Sequence, residues 1–360
     1  MKPFEHGGNV YDAGDCNEAL LDFSANINPL GLSEQVKKAI INNMENLVHY
    51  PDPSGAKLKQ VISVYYGTHP ENIILGNGAV ELLYIYFHSQ RPQRVLIPVP
   101  SFSEYERAAR AADCQIEYMY MDKASDFVLD KKKLLELLPD FDAVILGNPN
   151  NPTGKLINRA DVLELVEGAK KAGSTIIMDE SFLDFLSDSD QYTVMDQAAN
   201  YNNLFVIQSM TKFFAIPGLR LGFAAANQAL VAALEKGKDP WNVNLLAQVA
   251  GVAALGDEYY QKAARRIVAD CRDSLYRELS EEKMLIVYEP TVNFIMVSLA
   301  NTGLCSSVFV KKMRDKGILV RDCSNYPGLD DYHVRFAVRL KEENDQLLKT
   351  VRQVLAENRG

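Results

Sequence analysis

The feature of this sequence that most constrains its fold is an alternation of short apolar runs with longer amphipathic stretches over its first two thirds. The runs have the length of buried strands, and the stretches between them have the 3.6-residue period of helices. Strands and helices that alternate in this way form a mostly parallel sheet covered by helices. The predicted strands are Asn72–Leu75, Arg94–Pro98, Ala143–Gly147, Thr175–Asp179, Leu204–Gln208 and Leu219–Ala225, and the helix Arg159–Ala172 is predicted to end at Gly173.

The pattern changes after Pro240, where long helical stretches come first and short strands follow. This order is typical of a smaller α+β unit. No internal repeat and no Pro/Gly-rich linker separates the two parts, so we expect them to pack closely. The predicted helices are Asn244–Ala254, Tyr259–Leu279, Ser306–Asp315 and Glu342–Ala356, and the predicted strands are Met284–Val287, Asn293–Val297, Ile318–Arg321 and His333–Val338.

Charge and cysteine content narrow the class of protein. A formal net charge of −9 argues against a surface that gathers nucleic acid or anionic lipid, so any bound anion must meet a local cluster of donors. No apolar run is long enough for a membrane span, and no secretory segment is predicted at the N-terminus. The scattered cysteines form no CxxC pair or metal-ligand spacing, which predicts reduced thiols in a cytoplasmic protein without a metal. They are Cys16, Cys114, Cys271, Cys305 and Cys323.

Polar residues directly after apolar runs are the candidate site residues, because ligands of open α/β sheets bind beyond the carboxyl ends of the strands. Lys212 lies in such a segment, after the predicted strand Leu204–Gln208. A single lysine is usually a solvated surface group, but apolar neighbours lower its pKa and favour Schiff-base formation. Ser209 and Arg220, in the same segment, have donors that suit a phosphate dianion.

Three other strand ends carry candidate residues. Asp179 ends a buried strand, where a carboxylate suits either a protonated pyridine nitrogen or a helix N-cap. Asn151 lies in a proline-fixed turn and can present its amide to a ring oxygen. Gly78 and Ala79 lie where a strand runs into a helix, so free backbone N–H groups there suit a phosphate, although the segment lacks a GxGxxG fingerprint.

In this chain order the four segments resemble those of fold-type-I pyridoxal phosphate enzymes, the aspartate-aminotransferase fold, over essentially the whole chain. The resemblance implies an α/β fold with a large domain, built on a mostly parallel sheet, and a smaller α+β domain. On this basis we predict an N-terminal arm over residues 1–31, a large cofactor-binding domain over 32–240 and a small domain over 241–360. The implied cofactor is pyridoxal 5'-phosphate.

The resemblance also implies a role for each candidate residue. Lys212 binds the cofactor covalently, Asp179 pairs with its pyridine nitrogen and Asn151 bonds its ring hydroxyl. Phe102 stacks on the ring, and the cofactor phosphate is held by Gly78, Ala79, Ser209 and Arg220. Tyr50 matches a tyrosine that reaches the phosphate of the neighbouring subunit, which implies a homodimer with shared active sites.

Within this group the chain is similar to histidinol-phosphate aminotransferases and to threonine-phosphate decarboxylases of cobalamin synthesis, which both act on a small phosphorylated amine. The resemblance places Arg335 at the substrate carboxylate or its equivalent and Arg321 at the substrate phosphate, with His6 and Asn26 near that phosphate and Asn151 also facing the substrate. The segments His6–Asn9, Asp22–Gly31 and Asn325–Asp330 favour the decarboxylase, as do Ile27, where the aminotransferase usually has glutamate, and Phe182, where many members have tyrosine.

The predicted reaction is the decarboxylation of L-threonine O-3-phosphate to (R)-1-aminopropan-2-ol O-phosphate. The outcome depends on which bond at the substrate Cα is held perpendicular to the pyridine plane, because family motifs serve both decarboxylation and transamination. Histidinol-phosphate transamination and decarboxylation of serine phosphate remain alternatives. A DNA-binding regulator of the same fold is disfavoured, because the chain is acidic and no basic helix-turn-helix segment precedes the domain.

Overall fold

The structure is a computed structural model that describes residues 6–9 and 20–358. Residues 1–5 and 10–19 of the predicted N-terminal arm, including Cys16, lie outside the described residues. Elements are numbered in chain order. The strands are β1 (Leu21–Phe23), β2 (Ile73–Gly76), β3 (Arg94–Val99), β4 (Gln115–Tyr120), β5 (Ala143–Gly147), β6 (Thr175–Asp179), β7 (Leu204–Ser209), β8 (Gly222–Ala225), β9 (Ile286–Val287), β10 (Phe294–Ser298), β11 (Ile318–Asp322) and β12 (His333–Ala337). The helices are α1 (Glu34–Asn42), α2 (Ala56–Tyr66), α3 (Ala79–Gln90), α4 (Ser103–Ala111), α5 (Lys131–Leu137), α6 (Arg159–Ala172), α7 (Gln228–Glu235), α8 (Leu245–Leu255), α9 (Glu258–Ser280), α10 (Ser306–Asp315) and α11 (Lys341–Glu357).

The larger sheet has the strand order β2-β8-β7-β6-β5-β3-β4. Its strands pair in parallel except β8, which runs antiparallel to both β2 and β7. Strands β2, β5, β7 and β8 are buried along their whole length. Helices α2, α6 and α8 cover one face of the sheet, and α3, α4 and α7 cover the other. This arrangement confirms the prediction of a mostly parallel sheet buried between helices.

The smaller sheet has the strand order β1-β11-β12-β10-β9. Strand β1 comes from the N-terminal part of the chain but pairs in parallel with β11, with Leu21 opposite Ile318. Only three residues long, β1 was not predicted from the sequence. The chain after β1 returns to the larger sheet, where the Asn28 backbone N–H donates a hydrogen bond to the Lys212 carbonyl oxygen at 3.0 Å. The N-terminal segment therefore connects the smaller sheet to the candidate lysine.

Two predicted strands begin two or more residues later than expected, and one strand of the larger sheet was not predicted. The strand predicted over Leu219–Ala225 begins at Gly222, because Pro217–Leu219 forms a 3-10 helix and Arg220 has a left-handed φ of 58°. The strand predicted from Met284 begins at Ile286. The edge strand β4 was missed because its mostly polar, partly exposed residues lack the apolar signal of the central strands.

Helix α8 follows Pro240 in the chain but packs against α1 and α2 and contributes to the core under the larger sheet. The predicted domain boundaries at residues 31 and 240 stay a prediction. Within residues 6–9 and 20–358, no helix has both the length and the apolar content needed to span a bilayer.

Candidate active site

The carboxyl ends of β5, β6 and β7 and the start of α3 open into a cavity of about 380 Å³. Small-ligand sites in proteins fall in the range of about 300–1,000 Å³. Residues from both sheets contribute to its wall. The sequence-predicted site residues that line it are His6, Asn26, Ala79, Phe102, Asn151, Asp179, Ser209, Lys212, Arg220, Arg321 and Arg335. Gly78 adjoins it through Arg220, and Tyr50 is not part of its wall.

Lys212 lies in the loop that joins the antiparallel strands β7 and β8. The backbone of this loop is fixed by Asn28, whose Nδ2 donates to the Phe213 carbonyl oxygen at 2.7 Å. The Phe213 and Phe214 side chains are buried directly after the lysine. The tethered backbone and the two buried neighbours place Lys212 in the wall of the cavity rather than in open solvent.

Burial, together with the positive charges of Arg335 and Arg220, lowers the pKa of Lys212 to about 8. An ordinary lysine has a pKa of about 10.4, so the neutral amine of Lys212 is far more abundant near neutral pH. The neutral amine is the form that attacks a carbonyl carbon. Lys212 is therefore suited to covalent bonding with an aldehyde.

Asp179 ends β6 with its carboxylate held in a defined orientation. The Tyr105 hydroxyl donates to its Oδ2 at 2.8 Å, and the Ser181 backbone N–H donates to its Oδ1 at 3.0 Å. Burial raises the pKa of Asp179 above its usual range, although these hydrogen bonds and the charge of Lys212 act in the opposite direction. A half-buried, oriented carboxylate of this kind gains most from a cationic N–H partner in the cavity.

Gly78 and the first turn of α3 form a phosphate cradle with Ser209, Thr211 and Arg220. Gly78 has a φ of +84°, and a Cβ added to it would lie 2.4 Å from Arg220 Nη2, so the guanidinium packs on the bare face of the glycine. Ser209 Oγ and Thr211 Oγ1 lie 2.7 Å apart at the end of β7. A helix N-terminus, two hydroxyls and a guanidinium together match the oxygens of a phosphate dianion.

Arg321 and Arg335 are buried arginines, 4% and 5% exposed, without a carboxylate at ion-pair distance anywhere in residues 6–9 or 20–358. Arg335 donates through Nη1 to Asn151 Oδ1 and through Nη2 to the Ser24 carbonyl oxygen, while its Nε has no partner among the described residues. Arg321 donates to Asn325 Oδ1 at 2.9 Å. Burying an uncompensated guanidinium is costly, so both side chains favour an anionic ligand in this cavity.

His6 and Asn26 reach the same cavity from the N-terminal part of the chain. His6 Nε2 lies 2.8 Å from Glu104 Oε1, and its ring lies 5.9 Å from that of Phe102. Asn26 is 2% exposed, and its Oδ1 has no partner within the described part of the chain. The Asn293 side chain donates to the Asn26 carbonyl oxygen at 3.0 Å and so holds the residue in place.

The cavity is electropositive although the chain as a whole is acidic. Carboxylates in its wall come from Asp179 and Glu104, and the side chains with fixed or titratable positive charge are His6, Arg107, Lys212, Arg220, Arg321 and Arg335. Sequence reasoning missed several wall residues that act on the predicted ones, namely Glu104, Tyr105, Arg107, Ser181, Thr211 and Tyr326. Tyr105 could have been found, because it lies one helical turn after Phe102, and the two ring centroids are 5.7 Å apart.

Tyr50 lies outside the cavity with 79% of its surface exposed and stacks on Trp241 at 4.7 Å between ring centroids. A group of exposed apolar side chains, Ile41, Met44, Leu47 and Val48, precedes it in the chain. Phe182 lines the cavity and packs edge-on against Phe294 at 5.1 Å, so no hydroxyl stands at that position.

Comparisons with known proteins agree with this geometry. The family model described as aminotransferase class I and II matches residues 18–351. A threonine-phosphate decarboxylase of Salmonella typhimurium is 34% identical over 355 residues, 97% of this chain and 96% of the relative. A protein of Caldanaerobacter subterraneus subsp. tengcongensis with a provisional assignment to the same activity is 37% identical, over 99% of this chain and 95% of the relative. The crystal structure of a histidinol-phosphate aminotransferase from Clostridium acetobutylicum superposes with a TM-score of 0.88 at 32% identity, over 94% of this chain and all of the other.

Proposed function

This chain belongs to the aminotransferase class I and II family, and from that premise we propose that it is a cytoplasmic pyridoxal phosphate enzyme of cobalamin biosynthesis. The reaction is the decarboxylation of L-threonine O-3-phosphate to (R)-1-aminopropan-2-ol O-phosphate. Support in sequence comes from the identity of 34% with a threonine-phosphate decarboxylase over nearly the full length of both proteins.

The residues of the cavity fit pyridoxal phosphate. The cradle around Gly78 and Arg220 suits its phosphate, the Asp179 carboxylate suits its pyridine N–H, and the low-pKa Lys212 amine suits its aldehyde. When bound, the cofactor supplies an electron sink for the bond that breaks at the substrate Cα. Asp179 maintains that capacity by stabilising positive charge on the ring nitrogen.

The observation that carries the substrate assignment is the pair of buried arginines that share one cavity with Lys212 and have no carboxylate partner within the described part of the chain. Threonine phosphate has two anionic groups, and two separate guanidinium sites suit a carboxylate and a phosphate. We assign Arg335 to the carboxylate and Arg321, with His6 and Asn26, to the phosphate. Asn151 is already hydrogen-bonded to Arg335 and so orients the carboxylate site.

The chain's own residues then determine the reaction. Arg335 and Arg321 hold the two ends of the substrate, which fixes the orientation of the carboxylate relative to the reacting carbon. Lys212 Nζ is the group we assign to deliver a proton to that carbon afterwards.

The test is a substrate panel on the purified holoenzyme. We expect carbon dioxide and aminopropanol phosphate from threonine phosphate, and no product from a Lys212→Ala variant. Lys155→Ala is the matched control, because Lys155 lies outside the cavity and pairs with Asp126 at 3.7 Å. The assignment fails if threonine phosphate gives neither product, and faster turnover of serine phosphate would move it to that substrate.

Histidinol-phosphate transamination is the second candidate, because the crystal structure with a TM-score of 0.88 is of such an enzyme. Its substrate phosphate would use the same arginines. A strict requirement for 2-oxoglutarate and formation of a ketone rather than carbon dioxide would identify it. Phe182 and Ile27, both departures from the usual aminotransferase pattern, favour the decarboxylase.

We also propose a homodimer in which Tyr50 of each chain reaches the cofactor phosphate of its partner. The support is the exposed position of Tyr50 outside its own cavity and the exposed apolar group formed by Ile41, Met44, Leu47 and Val48. Contiguous exposed apolar side chains commonly mark a protein interface.

A further inference from the structure

Glu104 is the one carboxylate in the cavity wall besides Asp179 within the described residues. It lies in the first turn of α4, and its side chain is only 7% exposed. A carboxylate is unexpected beside a site for an anionic substrate, because unpaired it would repel that substrate. The cofactor and substrate contacts assigned above do not use Glu104.

The partners of Glu104 keep it charged. Its Oε1 lies 2.8 Å from His6 Nε2 and 3.5 Å from Arg107 Nη1. Burial acts to raise the pKa of Glu104, but the hydrogen bond and charge of His6 and the charge of Arg107 outweigh it and hold the pKa below its usual value. Glu104 is therefore an ionised acceptor that faces the N-terminal segment.

Gly7 and Gly8, the residues of segment 6–9 that follow His6, pack against Ser24. A Cβ added to Gly7 would lie 2.0 Å from the Ser24 carbonyl oxygen, so the close approach requires glycine. The Gly8 backbone N–H donates to Ser24 Oγ at 2.7 Å. The same Ser24 carbonyl oxygen accepts a hydrogen bond from Arg335 Nη2 at 3.0 Å. The segment is thus in contact with the residue that positions the carboxylate-binding arginine.

Segment 6–9 therefore has contacts on two separate parts of the molecule. Ser24 follows β1 of the smaller sheet, whereas Glu104 lies on α4, which packs on the larger sheet. His6, Gly7, Ser24 and Glu104 all line the cavity, so the segment forms part of its wall between the two sheets.

We propose that Glu104 is a positioning residue that holds His6, and through it segment 6–9, across the substrate end of the cavity. The substrate part of this inference rests on the proposed function, in which His6 contacts the substrate phosphate. Glu104 itself does not touch the substrate. Its charge fixes the His6 ring, and its pairing with His6 and Arg107 removes a repulsive anion from the phosphate site.

The first test measures the segment rather than the reaction. In holoenzyme carrying Glu104→Gln, we expect amide hydrogen exchange in the peptide containing residues 6–9 to be about tenfold faster than in wild type. Glu106→Gln is the matched control, because Glu106 lies on the same helix, pairs with Arg110 at 2.6 Å and is absent from the cavity wall. Equal exchange in wild type and Glu104→Gln overturns the inference.

The second test asks whether Glu104 acts through His6. We expect Glu104→Gln to raise the KM for threonine phosphate about tenfold with a much smaller change in kcat, and to leave cofactor absorbance unchanged. Combining Glu104→Gln with His6→Ala should then cost no more than His6→Ala alone, because coupled residues are not additive. Additive losses mean that Glu104 acts independently of His6, and the inference is then wrong.

These outcomes separate the inference from the proposed function. If wild-type enzyme does not decarboxylate threonine phosphate but exchange at residues 6–9 still depends on Glu104, the assigned reaction is wrong and the positioning role stands. If the enzyme decarboxylates normally and both exchange and KM are insensitive to Glu104→Gln, the positioning role is wrong and the assigned reaction stands.

Discussion

At the scale of single residues, the environment of Lys212 changes an ordinary side chain into a reactive one. The lysine is placed at a strand end by the sequence, but its pKa of about 8 comes from burial, from Arg335, which lies far from it in the chain, and from Arg220 in the same segment. Cofactor capture by the apoprotein needs the neutral amine, and the neutral fraction falls about tenfold for each pH unit below the pKa.

The rate of holoenzyme formation should therefore rise with pH up to about 8 and level off above it. The measurement is stopped-flow absorbance of pyridoxal phosphate mixed with apoprotein across this range. A rate that stays flat below pH 8 would show that the amine is already neutral there, which would contradict a pKa of about 8 for Lys212.

Glu180, the neighbour of Asp179, gives a second prediction for a single residue. It faces away from the cavity and accepts hydrogen bonds from the Thr193 hydroxyl and the Val194 N–H, while burial raises its pKa to about 7. Between pH 4.5, the ordinary pKa of a glutamate, and about pH 7, the folded state holds a proton that the unfolded state has lost, so the contribution of Glu180 to stability falls as pH rises through this window.

Replacing Glu180 by Gln removes this dependence. The stability of Glu180→Gln relative to wild type should rise by about 2–3 kcal/mol as the pH increases from 4.5 to 8. At every pH the variant should also lose about 1 kcal/mol, because one hydrogen-bond acceptor is missing. Calorimetric Tm values over this range test it, with Glu106→Gln as the control. Parallel Tm curves for wild type and Glu180→Gln would contradict the prediction.

At the scale of elements, the site depends on how a strand ends and a helix begins. Strand β2 stops at Gly76, and α3 begins at Ala79 without a side-chain cap, so its first N–H groups remain available to a ligand. Strands β7 and β8 are antiparallel, which returns the chain past the same helix start and brings Arg220 onto Gly78. The phosphate cradle is therefore a property of these three elements together.

Gly78→Ala should lower the affinity for pyridoxal phosphate by at least about tenfold, because the new Cβ would displace the Arg220 guanidinium from 2.4 Å. Gly173→Ala is a matched control at the end of α6, with a φ of +77° and no neighbour within 4 Å of the added Cβ. We expect that control to lose about 1 kcal/mol of stability and to keep its cofactor affinity. Equal affinity losses in both variants would assign the effect to backbone strain alone.

At the scale of the whole molecule, the cavity lies where the two sheets meet, so neither part of the chain has a complete site. The larger sheet supplies Asp179 and Lys212, and the smaller sheet supplies Arg321 and Arg335. Strand β1 ties the N-terminal segment to the smaller sheet. In the proposed homodimer, the exposed Tyr50 would extend this sharing to a second copy of the chain.

Shared sites predict complementation between inactive variants. Mixing Lys212→Ala with Tyr50→Ala chains under conditions of subunit exchange should restore about one quarter of wild-type activity, because half of the dimers are hybrids and each hybrid has one intact site. Mixing Lys212→Ala with Asp179→Ala is the control and should restore none, since these two residues line the same chain's cavity. No recovery in the first mixture would place Tyr50 outside the partner's site.

The sequence predicted those features that depend on neighbours along the chain. Strands β5 and β6 and helices α6 and α10 have the predicted bounds, because their apolar periodicity and their ends are encoded within a few residues. The same local signals placed Asp179, Lys212 and Asn151 at strand ends. Strands β1 and β4 were missed, because a three-residue strand and a partly exposed edge strand carry little periodicity.

Only the tertiary structure decided how these residues act on one another. The Arg335 contact with Asn151, the Tyr105 bond to Asp179 and the His6 pair with Glu104 each join residues that are far apart in the chain. No local pattern specifies such contacts, because they follow from the packing of the two sheets. The chain order of polar residues determined which groups the site contains, whereas burial and long-range packing determined their charge, their orientation and their partners.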